Sequence, residues 1–114
     1  MEAYMKSITR KEELILLSIL NLREKAYLIA ILDHLSRVTG KKISMTSVHL
    51  PLSRLEKQGL ISSQFGEATA VRGGRRKKIY SLTKPGLEAL YEYKKISDEL
   101  WESYLKLAAQ EQSG

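Results

Sequence analysis

The sequence contains no cysteine, which excludes disulfides, thiolate metal sites and cysteine nucleophiles together. That composition suits a reducing compartment, and a cytoplasmic protein is expected. Histidine is nearly as scarce. The chain has only His34 and His49, with no H-E-x-x-H pair between them. Long apolar runs are also missing. The longest apolar cluster, residues 14–22, is broken by Ser18 and Asn21 and falls well short of the roughly 20 residues a bilayer span requires. Residues 1–13 mix three acidic with three basic side chains and lack the apolar core of a secretory leader. No membrane partner is expected. Gly73 and Gly74 lie among basic residues between two strand-like segments, not between a strand and a helix, so they do not form a phosphate loop. No cofactor, no metal and no catalysis are expected.

What remains is an ordinary globular composition, 43% apolar over 114 residues, enough for one core and little more. The charge is unevenly placed. Residues 1–83 carry 15 Lys/Arg against 7 Asp/Glu, and residues 84–114 carry 4 against 6. The basic excess belongs to the first part, as expected of a polyanion-binding head with a differently employed tail.

Periodicity divides the chain. Thr9 and Glu12 form a capping-box pattern ahead of a helix over 10–22, with Leu14, Ile15, Leu17, Ile19 and Leu22 on its apolar face. A second helix is predicted over 25–38, closed by Gly40; Lys41 to Ile43 then suit a minor strand. The third helix opens at Ser44 and stops before Gly59, with Val48, Leu52 and Leu55 turned inward beside Met45. Its other side presents Thr46, Leu50, Ser53 and Lys57, flanked by His49 and Arg54. Pro51 either kinks this helix or moves its start later. Residues 60–65 and 78–82 read as strands joined by a glycine-containing loop, with five basic residues at Arg72, Arg75, Arg76, Lys77 and Lys78. Thr83 caps a last helix that runs to about residue 110. Its apolar arc (Leu90, Tyr93, Ile96, Leu100, Trp101, Tyr104, Leu107 and Ala108) is too broad and too long for one small head, so a second copy is expected against it.

The expected fold is therefore mainly α with a small β hairpin, a winged helix-turn-helix over residues 1–83 followed by a dimerisation helix and tail over 84–114. In that fold the third helix enters the major groove and the wing touches backbone or minor groove. Ser44, Thr46, Ser47, His49, Leu50, Ser53 and Arg54 are the candidate contacts of the helix; Arg72, Arg75, Arg76 and Lys77 are those of the wing. Arg54 is equally suited to pairing with a nearby acid.

The runs Ile43-Ser44-Met45-Thr46-Ser47-Val48-His49 and Leu52-Ser53-Arg54-Leu55-Glu56-Lys57-Gln58-Gly59-Leu60-Ile61 resemble the recognition-helix signature of the PadR-like transcriptional regulators. Arg72-Gly73-Gly74-Arg75-Arg76-Lys77-Lys78-Ile79-Tyr80, with Leu82-Thr83 and Gly86 after it, resembles that family's wing and the start of its C-terminal helix. Residues 14–22 with Ala26-Tyr27 resemble its first helix and turn. The resemblance covers about residues 9 to 90. It implies a homodimeric regulator of double-stranded DNA, usually a repressor, dimerising through the C-terminal helix; two copies of the third helix about one DNA turn apart then call for a palindromic operator. The length resembles the family's shorter branch, some members of which bind flat aromatic compounds at the dimer interface, and this makes Trp101 a candidate effector contact as well as a packing residue. Two further readings stay open: a winged-helix adaptor for protein or RNA, and an aromatic small-molecule sensor centred on the dimer interface.

Overall fold

The structure, a computed structural model, describes residues 7–66 and 77–113. Helix α1 (Arg10–Leu22) begins at the expected capping box: Thr9 Oγ1 accepts the Glu12 N–H at 3.1 Å, and Glu12 Oε1 accepts the Thr9 N–H at 2.9 Å. Ile15, Leu16 and Ile19 are buried, whereas Leu17, assigned inward by its spacing, is exposed. Ser18 is buried too. Its hydroxyl donates to Leu14 O, which leaves it to accept from His34 Nδ1 at 2.8 Å.

Helix α2 (Leu28–Thr39) starts three residues later than its periodicity indicates. A 3₁₀ turn (Arg23–Lys25) follows α1, Ala26 turns the chain, and Tyr27 is extended beside the hairpin. Tyr80 N–H donates to Ala26 O at 2.9 Å, and Tyr27 bridges Ile79. With the Ala26 carbonyl committed to the hairpin, the first turn of α2 closes one residue on, where Tyr27 O accepts the Ile31 N–H at 2.9 Å. Residues 41–43 do not form the expected minor strand; the extra strand-like contact falls at Tyr27 instead. Gly40 takes the left-handed cap at φ 70°.

Helix α3 (Met45–Lys57) is continuous through Pro51, so the alternative of a later start is not adopted. Ser44 caps it by accepting the Ser47 N–H at 3.2 Å. Val48, Leu52 and Leu55 are fully buried with Pro51 beside them, while Met45 is exposed, contrary to its expected inward placement. Strands β1 (Ile61–Phe65) and β2 (Lys78–Leu82) pair antiparallel in the register Ile61↔Leu82 to Phe65↔Lys78.

Helix α4 (Lys84–Ser113) has 30 residues, about 45 Å of helix. Its base is fixed to the α3–β1 corner. Thr83 N–H donates to Leu60 O at 3.1 Å, the Thr83 hydroxyl donates to Gly59 O, and Gly86 N–H donates back to Thr83 Oγ1. Gly86 lies so close to Leu60, the residue before β1, that a Cβ there would stand 1.9 Å from Leu60 O. Ala89 and Leu90 then join a core made with Ile15, Leu16, Ile31, Val48, Leu52, Leu55 and Leu60. Beyond Tyr93 the helix leaves the head with its apolar arc exposed. Among the described residues, no helix is long and apolar enough to cross a membrane.

Candidate nucleic-acid interface

The core stripe of α3 turns Thr46, Leu50 and Lys57 outward, and all three are exposed, with Ser53 half-buried beside them. These are short hydroxyls, one branched apolar side chain and one cation, on a helix whose first turns project from the domain. Such a set can meet base edges and a thymine methyl. Ser44 and Ser47 serve the helix itself as well: Ser44 Oγ takes the cap, and the Ser47 hydroxyl donates to Ser44 O at 2.9 Å.

Two carboxylates brace this helix, one on each flank. Toward α1, Arg54 Nε donates to Glu12 Oε2 at 3.1 Å. The Glu12 side chain is only 5% exposed, whereas that of Arg54 is 56% exposed. The nearby acid that Arg54 could pair with is thus Glu12, already half of the α1 capping box. Toward the hairpin, Glu56 accepts the Ser63 hydroxyl and lies 3.2 Å from Lys78 Nζ. The Ser63 hydrogen bond, with the Lys78 ammonium acting in the same direction, holds the Glu56 carboxyl below its ordinary value despite some desolvation. Burial pushes the Tyr80 phenol up.

His49 stands exposed on the hairpin side of α3 and opens into a cleft of about 460 Å³. The other walls come from Tyr27, Leu28 and Ile29 at the start of α2 and from Lys77, Lys78 and Tyr80 at the hairpin root. Lys77 Nζ sits 4.0 Å above the centre of the Tyr27 ring. The sequence does not nominate Tyr27 or Ile29 as contacts, because their placement in the site depends on the long-range pairing with β2. The other expected wing contacts, Arg72, Arg75 and Arg76, lie outside the described residues.

On α4 the expected interface residues divide. Leu90 is a correction: it is buried in its own head, because the first turns of α4 cover the core. Tyr93 is half-buried there. Ile96, Leu100, Trp101, Tyr104 and Leu107 are exposed, Leu100 at 68% and Trp101 at 58%. Leu105, four residues after Trp101 on the same arc, is equally bare and was legible from that spacing. The Trp101 and Tyr104 rings meet edge to face at 5.4 Å. Trp101 also borders a groove of about 500 Å³ shared with Leu17, Leu87 and Tyr91. Among the described residues, no cluster of His, Asp or Glu could hold a metal ion.

Comparison with known proteins follows the same geometry. A family model described as the transcriptional regulator PadR-like family matches residues 16–92. A solved PadR-like transcriptional regulator from Bacillus cereus is 27% identical at a TM-score of 0.69, covering 85% of this chain and 89% of its own. A PadR family transcriptional regulator from Eggerthella lenta is 29% identical at 0.66, covering 87% and 84%. A PadR-like transcription factor from Bacteroides fragilis is 26% identical at 0.66, covering 86% and 92%. A comparison with curated proteins returned no match.

Proposed function

The chain belongs to the PadR-like family of transcriptional regulators, and from that premise we propose that it acts as a cytoplasmic homodimeric repressor on a palindromic operator. The observation that carries this reading is the division of exposed surface. The head projects a polar helix face with cationic flanks, and the tail projects a bare apolar arc from Ile96 to Leu107. An arc of that kind is covered most simply by its own copy. Two-fold symmetry then sets two copies of α3 about one DNA turn apart, roughly 34 Å, and calls for two half-sites of opposite orientation. In this reading Thr46, Leu50 and Ser53 face base edges, Arg54 borders the backbone, and the wing residues Arg72, Arg75, Arg76 and Lys77 neutralise phosphates. Selection of bound fragments from random and genomic duplex DNA tests it. Enrichment of one inverted repeat supports the proposal, whereas recovery without a consensus leaves the adaptor reading in its place. Lower reporter expression from a promoter carrying that repeat distinguishes repression from activation.

A second reading, compatible with the first, concerns Trp101. Its indole stands over the apolar groove with Leu17, Leu87 and Tyr91, which suits a flat aromatic effector. Each stacking contact would contribute about 1 kcal/mol beyond burial. Tryptophan fluorescence against a panel of aromatic compounds, with and without operator, tests it. An effector must bind the free and DNA-bound forms differently, since equal affinity for both changes nothing.

A further inference from the structure

The cleft between α3 and the hairpin has a different chemistry from the face of α3. Its walls are mostly apolar, with Leu28, Ile29 and the Tyr27 ring as the main surfaces, and its cations are at the hairpin root. Base edges call for paired donors and acceptors; a deoxyribose-phosphate presents an apolar sugar beside an anion. The cleft matches the second.

Topology leads to the same place. A winged helix sets its third helix in the major groove and its hairpin against the adjoining backbone or minor groove. The sugar-phosphate strand separating those grooves must then cross the gap between helix and hairpin. That gap is this cleft.

We propose that the cleft seats this strand, with Lys77 and His49 on its phosphates, Ile29 on a sugar, and Tyr27 as the positioning residue that holds Lys77 in place. The assignment rests on the duplex-DNA reading above and refines it. His49, which its place in the sequence nominated as a base contact, becomes a backbone contact.

The two neighbouring lysines show why Tyr27 matters. Lys78 Nζ lies 3.2 Å from the Glu56 carboxylate, so its charge is already matched. Lys77 Nζ rests over a ring at 4.0 Å, and a ring face orients a cation without neutralising it. Lys77 therefore keeps its full charge for a phosphate. The backbone that carries the ring is tied to the hairpin through the Tyr27–Ile79 bridge and the bond from Tyr80 N–H to Ala26 O.

The test is a salt titration of binding to a fluorescein-labelled duplex of mixed sequence, about thirty base pairs long. Lys77→Ala, at an exposed site, should lower the log–log slope by about 0.9, one phosphate contact. Lys78→Ala should lower it less. Tyr27→Leu should weaken binding several-fold at fixed salt, Tyr27→Phe should recover it, and Tyr27→Leu should have little further effect once Lys77 is Ala. His49→Gln should weaken binding to all duplexes alike and leave the selected consensus unchanged. Circular dichroism confirms that each variant is folded; should Tyr27→Leu not fold, the Lys77 and His49 variants still decide. Equal slopes for wild type and Lys77→Ala, or a consensus altered by His49→Gln, would overturn the cleft assignment while leaving DNA binding intact. A wild-type protein that binds no duplex even at low salt overturns the DNA reading, and the cleft assignment with it.

Discussion

Replacing Gly86 with alanine sets two physical rules against each other. Gly86 is the third residue of α4, and in a helix alanine is ordinarily better than glycine by about 0.5–1 kcal/mol. Here the added Cβ would stand 1.9 Å from Leu60 O and 3.0 Å from its carbonyl carbon. Bringing the Cβ to even 3.0 Å from the oxygen requires a shift of about 1.1 Å, and the neighbours resist it. Leu60 is buried, its N–H is bonded to Leu55 O, and its oxygen already takes the Thr83 N–H at 3.1 Å. Overpacking of this kind costs about 1–3 kcal/mol. Losing the Thr83–Leu60 bond and the Thr83 cap adds about 1 kcal/mol for each. The net cost, after the helix gain of alanine, is about 2–4 kcal/mol, a large share of the ~5–15 kcal/mol that holds a domain together. In urea unfolding followed by circular dichroism, the midpoint should fall by roughly 2 M at an ordinary slope. Gly59→Ala is the control. At φ 78° with nothing within 4 Å of its Cβ, it carries dihedral strain alone, about 1–2 kcal/mol. If Gly86→Ala costs no more than Gly59→Ala, or stabilises the chain, the close approach of α4 to the Leu60 backbone is wrong.

Arg54→Ala leaves a carboxylate that is 5% exposed without its cation. Orphaning a buried charge costs about 3–5 kcal/mol; because the guanidinium is half in water, about 2–3 kcal/mol is expected in urea unfolding, and Glu12→Gln, which preserves the capping box, should cost less. Glu56 has a lowered folded value, so its contribution to stability is complete above its unfolded value of about 4.3 and is lost as pH falls through the folded one. Acid unfolding should therefore be less steep below pH 4.3 in Glu56→Gln than in the wild type, and identical profiles would exclude the Ser63–Glu56–Lys78 node from folding. Leu100→Glu puts a charge into the proposed seam, and sedimentation should show a shift from dimer toward monomer, whereas an unaltered dimer places the seam elsewhere.

The features legible in the sequence are those whose cause is local. Thr9 and Glu12 announce the α1 cap because both halves of the box lie within one turn. Gly40 announces the end of α2 for a similar reason. The start of α2 is not legible, because what holds Ala26 and Tyr27 out of the helix is β2, more than fifty residues away in the chain. Arg54 shows the same limit. Its spacing presents a cation on the flank of α3, but nothing local selects an acid 42 positions earlier. On α4 the apolar arc was legible as a whole. Where the chain's own head stops covering it was not, since that depends on the depth of the core beneath Leu90.

The fastening of α4 through Thr83 and Gly86 has a mechanical consequence. With its base clamped to the corner where α3 ends, the tail cannot swivel independently of the head. It acts as a lever. From Gly86 to Trp101 is 15 residues, an arm of roughly 22 Å. In the proposed dimer, a change of about 10° in the crossing angle near Trp101 would turn each tail by about 5° and carry each head by about 2 Å. The two heads move in opposite senses about a two-fold axis, so their separation changes by as much as about 4 Å, more than the ~3.4 Å between successive base pairs. Such a protein works as a calliper, and whatever sets the angle between the tails selects the half-site spacing that its jaws can grip.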